Sequence, residues 1–342
     1  MKYTQKETLQ LLSQTPKGEQ REKLLQNDDL RNSVLSSGAN VTIYTGEVNR
    51  KSENVIEAIQ NVYIGLIQRK NKKGQYDGLG ALGGLAERTK KEEFESLSQQ
   101  KQHELVPLKD DVIIVDGYPR LTTDIDIIRK NNVMREMREE LANLGIYNLS
   151  INPDKLELIC MPKVKDDNYM INIWDGKGEC FAISPYCHIY EDKTGLIDNI
   201  NKNAKEQIGG EASEYKKIPL IDALGAYGNI ATKYKLEDGR NATKDYRYPH
   251  EYLACWALAS KLLGNDDKKM VQLAISVQNK HNHPISFAQI ALKTSQNMQD
   301  VAEVLNILPS TLEKMERNMQ IVYQNKAKRN RSKDKQNAKI ER

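Results

Sequence analysis

Cysteine is scarce in this chain: four in 342 residues, at Cys160, Cys180, Cys187 and Cys255. That excludes a disulfide-stapled scaffold and makes a reducing compartment the default. Long apolar runs are missing as well. No stretch approaches the roughly 18–20 apolar residues that a membrane helix needs. Met1-Lys2-Tyr3-Thr4-Gln5-Lys6-Glu7 lacks the apolar core of a secretory signal, so a cytoplasmic protein without a membrane span is expected. Phenylalanine and tryptophan are rare, three and two beside 16 tyrosines. Tyr63, Tyr76, Trp174, Phe181 and Tyr186 fall in or near strand-like runs, where core packing is the expected role and stacking on a nucleobase the alternative. What remains is polar: 39% hydrophobic, 29% charged, mean hydropathy −0.68. Apolar runs nevertheless recur through the middle, enough for a sizeable core in one elaborated domain.

The net charge of +4 is unevenly spread. Residues 321–342 hold eight basic residues against Asp334 and Glu341, a charge of +6 that leaves −2 on the rest. Such a tail is usually a solvated extension without fixed structure; nucleic acid is the partner it would contact if it binds one.

Residues 1–38 are polar with scattered leucines and read as a helical extension. Val41–Tyr44 and Val62–Ile67 are β-branched, strand-like runs. The segment Gly78–Thr89 is glycine-rich, Lys90–Leu105 reads as helix, and Asp111–Val115 as a strand closed by a turn at Asp116-Gly117-Tyr118-Pro119. Thr122-Thr123-Asp124 can cap a helix that runs to about Leu144 and stops at Gly145. Strands are expected at Leu156–Val164, Tyr169–Trp174 and Glu179–Tyr190, the last two joined by the turn Asp175-Gly176-Lys177-Gly178. Lys193–Gly210 is loop with a short helix, and a strand edge turns into a helix near Ile218–Leu224. From Glu251 onward the pattern is helical. The divisions are 1–38, a mixed α/β unit over 39–262 with an insertion at about 90–125, a helical extension over 263–320, and the basic tail.

Several chemistries find no support. Gly78–Gly84 lacks the Gly-Lys-Ser/Thr of a phosphate-binding loop, and its formal Gly-x-Gly-x-x-Gly spacing is followed by charged sequence rather than a clean helix. Cys180 and Cys187-His188 match no zinc spacing and read as core thiols. The sequence His281-Asn282-His283 sits at a helix break, and no nucleophile–base grouping appears among five histidines.

The helix expected over 124–144 is the informative element. It contains Arg135-Glu136-Met137-Arg138-Glu139-Glu140, and spacings of three and four put Glu136, Glu139 and Glu140 on one helical face. Like charges so placed repel. A divalent cation relieves that repulsion, and hard carboxylate oxygens suit Mg²⁺ or Mn²⁺. The plain alternative is a solvated helix in which Arg135 and Arg138 neutralise their neighbours.

This hexamer, followed by Gly145-Ile146, resembles the second half of the Nudix hydrolase signature, and Gly83-Gly84-Leu85-Ala86-Glu87 is similar to that family's Gly-Gly-x-x-Glu loop. Glu214–Leu224 also looks like a late Nudix strand and helix. The resemblance implies a Nudix-like α/β/α sandwich with a mixed sheet, here with helical N- and C-terminal extensions. It also implies metal ligands at Glu136, Glu139 and Glu140 and the carbonyl of Gly84, with Arg135 orienting a carboxylate. Glu139 or Glu140 would be the general base, or Glu211 or Glu214 from a later loop. The implied activity is metal-dependent cleavage of the diphosphate linkage in a nucleoside diphosphate joined to another moiety, of ADP-ribose or dinucleotide type. Two departures stand out. Lys90 occupies the position of the signature's first glutamate, and about forty residues separate the two halves. Asp124 or Asp126 is expected either to replace that glutamate or to serve the helix alone. A non-catalytic nucleotide-binding module and an interaction protein acting through the basic tail are the rival readings.

Overall fold

The structure, a computed structural model, describes residues 35–70, 76–122, 124–147, 151–160, 172–176, 179–205, 212–225, 249–280, 285–293 and 297–340. Its centre is a mixed eight-stranded sheet. The path runs β10 (Ala212–Pro219), β2 (Tyr63–Lys70), β1 (Leu35–Thr45), β9 (Glu179–Glu191), β7 (Glu157–Cys160). β1 and β9 are parallel, with Leu35 opposite Ala182 and Tyr44 opposite Glu191; the other pairings are antiparallel. β3 (Tyr76–Gly80) pairs with β2, and β4 (Leu82–Leu85), separated from β3 by Ala81 alone, pairs with β1. β8 (Asn172–Gly176) forms the expected hairpin with β9.

Alternation along the strands sends successive side chains to opposite faces. Val41, Ile43, Ile67 and Leu82 pack under α4 (Ile125–Ala142) and α5 (Leu196–Asn203), meeting Val133, Met137 and Leu141 of α4 and Ile197 and Ile200 of α5. Tyr44, Ile64, Leu66, Cys187 and Ile189 join the opposite core. There lie α1 (Val55–Ile59), α6 (Leu220–Leu224), α7 (Pro249–Leu262), α8 (Asp267–Lys280), α9 (Phe287–Lys293), α10 (Met298–Val304) and the first turns of α11 (Pro309–Ile340). The chain is therefore a three-layer α/β/α sandwich, as expected. Its most apolar knot is Trp256, edge-on to Tyr252 and Phe287 at centroid distances of 6.5 and 5.2 Å.

The structure departs from the sequence reading in five places. Gly83-Gly84-Leu85, likened to a loop, lies in strand β4. Lys90–Leu105 breaks into α2 (Lys91–Ser96) and α3 (Gln99–Leu105) because Ser98 starts a second cap, its side chain accepting from the Lys101 N–H. The strand β5 (Val112–Val115) does not stop at a bare turn but pairs with β6 (Tyr118–Leu121). Asp116 and Gly117, both at positive φ, make the two-residue turn that matches strand twist. The basic segment from 321, expected without structure, continues α11 as helix to Ile340. Of the extension expected as helical over 1–38, residues 1–34 lie outside the described residues, as does the turn at 177–178, and residues 35–38 are not helix but the start of β1, paired with β9. No helix among the described residues is long and apolar enough to cross a membrane.

Candidate active site

Helix α4 starts where its capping chemistry sets it. The Asp124 carboxylate accepts from the N–H groups of Asp126 and Ile127, and the chain turns away at Gly145, φ +76°. Ile128, Val133, Met137 and Leu141 bury one side. The side toward β4 is polar and almost as buried. Asn132 is fully covered, donating to Asp110 and accepting the Ala39 N–H at 3.0 Å.

The three glutamates behave differently. Glu140 is buried, and its Oε2 accepts the Gly83 N–H at 2.9 Å, tying the helix to β4. Glu136 lies flat against Gly84: a Cβ added there would sit 2.3 Å from its Oε2 and 2.4 Å from its carboxyl carbon. Only glycine permits that approach. At Gly83 a Cβ would meet the Ala39 carbonyl oxygen at 2.3 Å, so the pair of glycines keeps both β1 and the carboxylates close. Glu139 is 57% exposed and is the carboxylate open to solvent.

Arg135 sits among them, buried. Its Nη2 donates to Glu136 Oε1 at 2.9 Å and its Nη1 to Glu139 Oε2 at 3.1 Å. Its third partner is Asp110: Nε reaches Oδ1 at 3.2 Å and Nη2 reaches Oδ2 at 3.2 Å. Burial alone would lower the Arg135 pKa, but Asp110, Glu136 and Glu139 together outweigh it and hold the guanidinium charged far above its ordinary range.

Asp110 is the residue that the sequence reading missed. It is 2% exposed and stands at the close of the insertion, just before β5. Besides Arg135 it accepts the Glu87 N–H at 2.8 Å and the Asn132 amide at 3.3 Å, and its own N–H donates to the Glu87 carbonyl. Its neighbour Asp111 accepts the Thr89 N–H at 3.0 Å and the Thr89 hydroxyl at 3.1 Å, although burial raises its pKa. Consecutive aspartates thus stitch the far end of the insertion to residues 87–89. Residues 88–109 leave from and return to one place, since Glu87 and Asp110 are bonded to each other. The only trace in the sequence is the pair Asp110-Asp111 ahead of a strand, which has no helical or strand period to mark it.

The substitutes expected for the missing glutamate serve other ends. Asp124 caps α4, and Asp126 pairs with Arg129 at 3.1 Å. Lys90 caps the start of α2 with its side chain 78% exposed, 3.5 Å from Glu93. Glu87 points outward to Lys109, whose hydrogen bond at 2.5 Å lowers the carboxyl pKa. Glu214 is exposed on the edge strand β10, paired with Lys216 at 2.8 Å; Glu211 lies outside the described residues, as do His281 and His283. Cys187 and Cys255 are buried as core thiols, the latter pushed up to about 12 by burial.

Glu136 against Gly84 and Glu140 against the Gly83 N–H offer hard carboxylate oxygens of the kind a divalent cation takes, with Glu139 exposed on the same helix. Among the described residues no three His, Cys, Asp or Glu side chains are drawn close enough to enclose one. Arg135 occupies edges of Glu136 and Glu139 that a cation would need.

No family model matches the chain, and no curated protein does. Among solved structures it is similar to a C. elegans Ap4A hydrolase, in a structure described as a binary complex, at 12% identity and a TM-score of 0.26. The likeness covers 61% of this chain and 93% of that one. At this level the likeness assigns no activity; the geometry around α4 does not depend on it.

Proposed function

We propose that this chain is a metal-dependent hydrolase of Nudix type that cleaves the diphosphate linkage of a nucleoside diphosphate joined to another moiety. ADP-ribose and dinucleotides are the favoured substrates. The carrying observation is the Glu136 carboxylate seated on Gly84, with Glu139 and Glu140 on the same helical face. Glu136, Glu139 and the Gly84 carbonyl would hold Mg²⁺ or Mn²⁺, and Glu140, fixed to the Gly83 N–H, would keep β4 and the helix in register. Such a cation neutralises a diphosphate and makes a bound water acidic. The Glu139 oxygen that such a cation would leave unengaged takes the proton of the attacking water. The water oxygen bonds to one phosphorus, the P–O bond to the bridging oxygen breaks, and that oxygen leaves on the second phosphate. Products are a nucleoside monophosphate and the phosphorylated second moiety.

A second reading is favoured by Arg135, which already neutralises Glu136 and Glu139. It is a Nudix-like module that binds a nucleotide without cleaving it. A panel of ADP-ribose, NADH, dinucleoside polyphosphates, sugar nucleotides, nucleoside triphosphates and capped RNA separates the two, each assayed with Mg²⁺, with Mn²⁺ and with chelator. Metal-dependent release of monophosphate from one class is expected. Nucleotide binding with no product from any of them selects the module instead.

A further inference from the structure

Helix α11 has two opposed faces. Leu312, Met315 and Met319 are buried in the C-terminal core, and on the same side Lys326 donates from Nζ to the carbonyl oxygens of Gln278 and Asn279 at the end of α8. At 3.6 residues per turn, Lys314, Arg317, Lys328 and Arg331 fall within roughly 100° of one another on the side turned away. All four are exposed. Among the described residues no ion pair engages any of them. We propose that this face of α11 is a nucleic-acid-binding surface, on which the four cations hold the phosphate backbone of a duplex without reading its bases. The inference is independent of the hydrolase reading.

The arrangement of charge carries the proposal. From Lys314 to Arg331 the stripe is about 25 Å long at 1.5 Å per residue, so its cations meet several phosphates rather than one. Between 309 and 333 the helix has two acids, Glu313 and Glu316. Glu316 is turned to the Ser286 hydroxyl and the Phe287 N–H, which leaves Glu313, exposed at one end of the stripe, as its counter-charge. Residues 328–332 are all exposed, so the helix has left the body by that point. Lys328 and Arg331 stand there one turn apart, a like-charge spacing that weakens a helix unless an anion lies against it. The charge of +6 over residues 321–342 adds long-range attraction. What the stripe lacks selects among polyanions. Ile321 is its one apolar side chain, too little for the apolar face with which a helix enters a membrane surface, or for the apolar centre of a protein interface. Tyr323, the single aromatic of α11, lies outside the stripe, so unpaired bases find no platform to stack on. Contacts to duplex phosphates need neither.

The test is fluorescence anisotropy of two labelled DNA duplexes of unrelated sequence with the full-length protein, between about 50 and 200 mM salt. Both duplexes are expected to bind alike. Log affinity should fall against log salt with a slope of about −3 or steeper, the value for four phosphate contacts. Lys314→Gln with Arg317→Gln, and separately Lys328→Gln with Arg331→Gln, should each bring that slope about 2 nearer to zero. Melting temperature should not change, since all four side chains are exposed. Lys90→Gln with Lys91→Gln removes the same charge elsewhere on the surface and should leave the slope as it is. No binding at the lowest salt overturns the proposal. So does a slope that loss of Lys314 and Arg317 leaves unchanged, which would assign the contact to the charge at the chain end instead of the helix face. An equal fall in the Lys90 and Lys91 variant overturns it as an effect of net charge alone. Phosphatidylserine vesicles bound as tightly as duplex at the same salt would make the surface a membrane contact and overturn it too.

Discussion

Against the sheet face that carries Tyr44, Ile64, Leu66 and Ile189, helices α6–α11 set Trp256, Tyr252, Phe287, Leu253, Leu258 and Met270, nearly all fully buried. Against the opposite face, α4 sets Val133, Met137 and Leu141 but also Arg129, Asn132, Arg135 and Glu140, equally covered. One layer is held by apolar area, at about 25 cal/mol per Å². The other gives up part of that gain to bury charges, which are stable there only because each is met by a partner. Buried ion pairs are weak evidence of stability but demanding of geometry. The difference teaches a division of labour: the C-terminal layer supplies the fold's stability, and the α4 layer spends its burial on holding carboxylates in place.

The comparison breaks most easily at Trp256. Trp256→Ala is expected to cost about 4 kcal/mol, on the order of a 10 °C fall in melting temperature for a domain of this size. Mn²⁺ affinity measured well below the transition should be unchanged. A joint loss of stability and affinity would show that the two layers are not separable.

Gly84→Ala addresses the other layer. The new methyl would overlap the Glu136 carboxylate, which must move by roughly 1 Å. Cation affinity is expected to drop at least tenfold with a stability loss of no more than about 2 kcal/mol. A drop in melting temperature alone would make Gly84 a packing residue and nothing more.

His188 sharpens the contrast through pH. It is buried beneath the α4 layer with Nδ1 3.3 Å from the Asn40 carbonyl oxygen. Burial lowers its pKa to about 4, with Arg129 and Lys130 adding to the shift against Asn40 and Asp126. Below an unfolded pKa of about 6.5 the unfolded chain binds the proton and the folded chain does not. Stability is therefore full above that pH and is lost as pH falls toward 4, by about 2 kcal/mol between pH 7 and 5 from this group. Chemical denaturation at both pH values, in wild type and His188→Gln, reads it. An unchanged slope in the variant would place the acid sensitivity elsewhere.

Which parts of this architecture the sequence could reveal depends on the range of the interaction. Helix α4 was legible because its signals are local: the Asp124 cap, the glutamate spacing and Gly145 lie within about twenty residues. The C-terminal helices were legible from their apolar period. The strand at Gly83–Leu85 was not legible, since its residues were likened to a loop and glycine ordinarily weakens strands. Here Gly83 and Gly84 are needed so that a strand and two carboxylates can approach, a demand that arises only in three dimensions. Asp110 was invisible for the same reason. Its partners are Glu87, Asn132 and Arg135, and no local pattern links them.

The smallest effect is expected at Lys90. Its exposed side chain and loose pairing with Glu93 contribute under about 0.5 kcal/mol. Lys90→Glu should leave both melting temperature and cation affinity as they are. A gain in affinity would mean that position 90 lies close enough to the α4 carboxylates to join them.

The central claim is that the α4 carboxylates perform the hydrolysis, and Glu139→Gln tests it most directly. Turnover of the substrate that wild type cleaves best should fall at least a hundredfold, the scale of a lost general base. The melting temperature should stay within about 2 °C, since Glu139 is largely exposed. Turnover within twofold of wild type, from equally folded protein, would contradict the account.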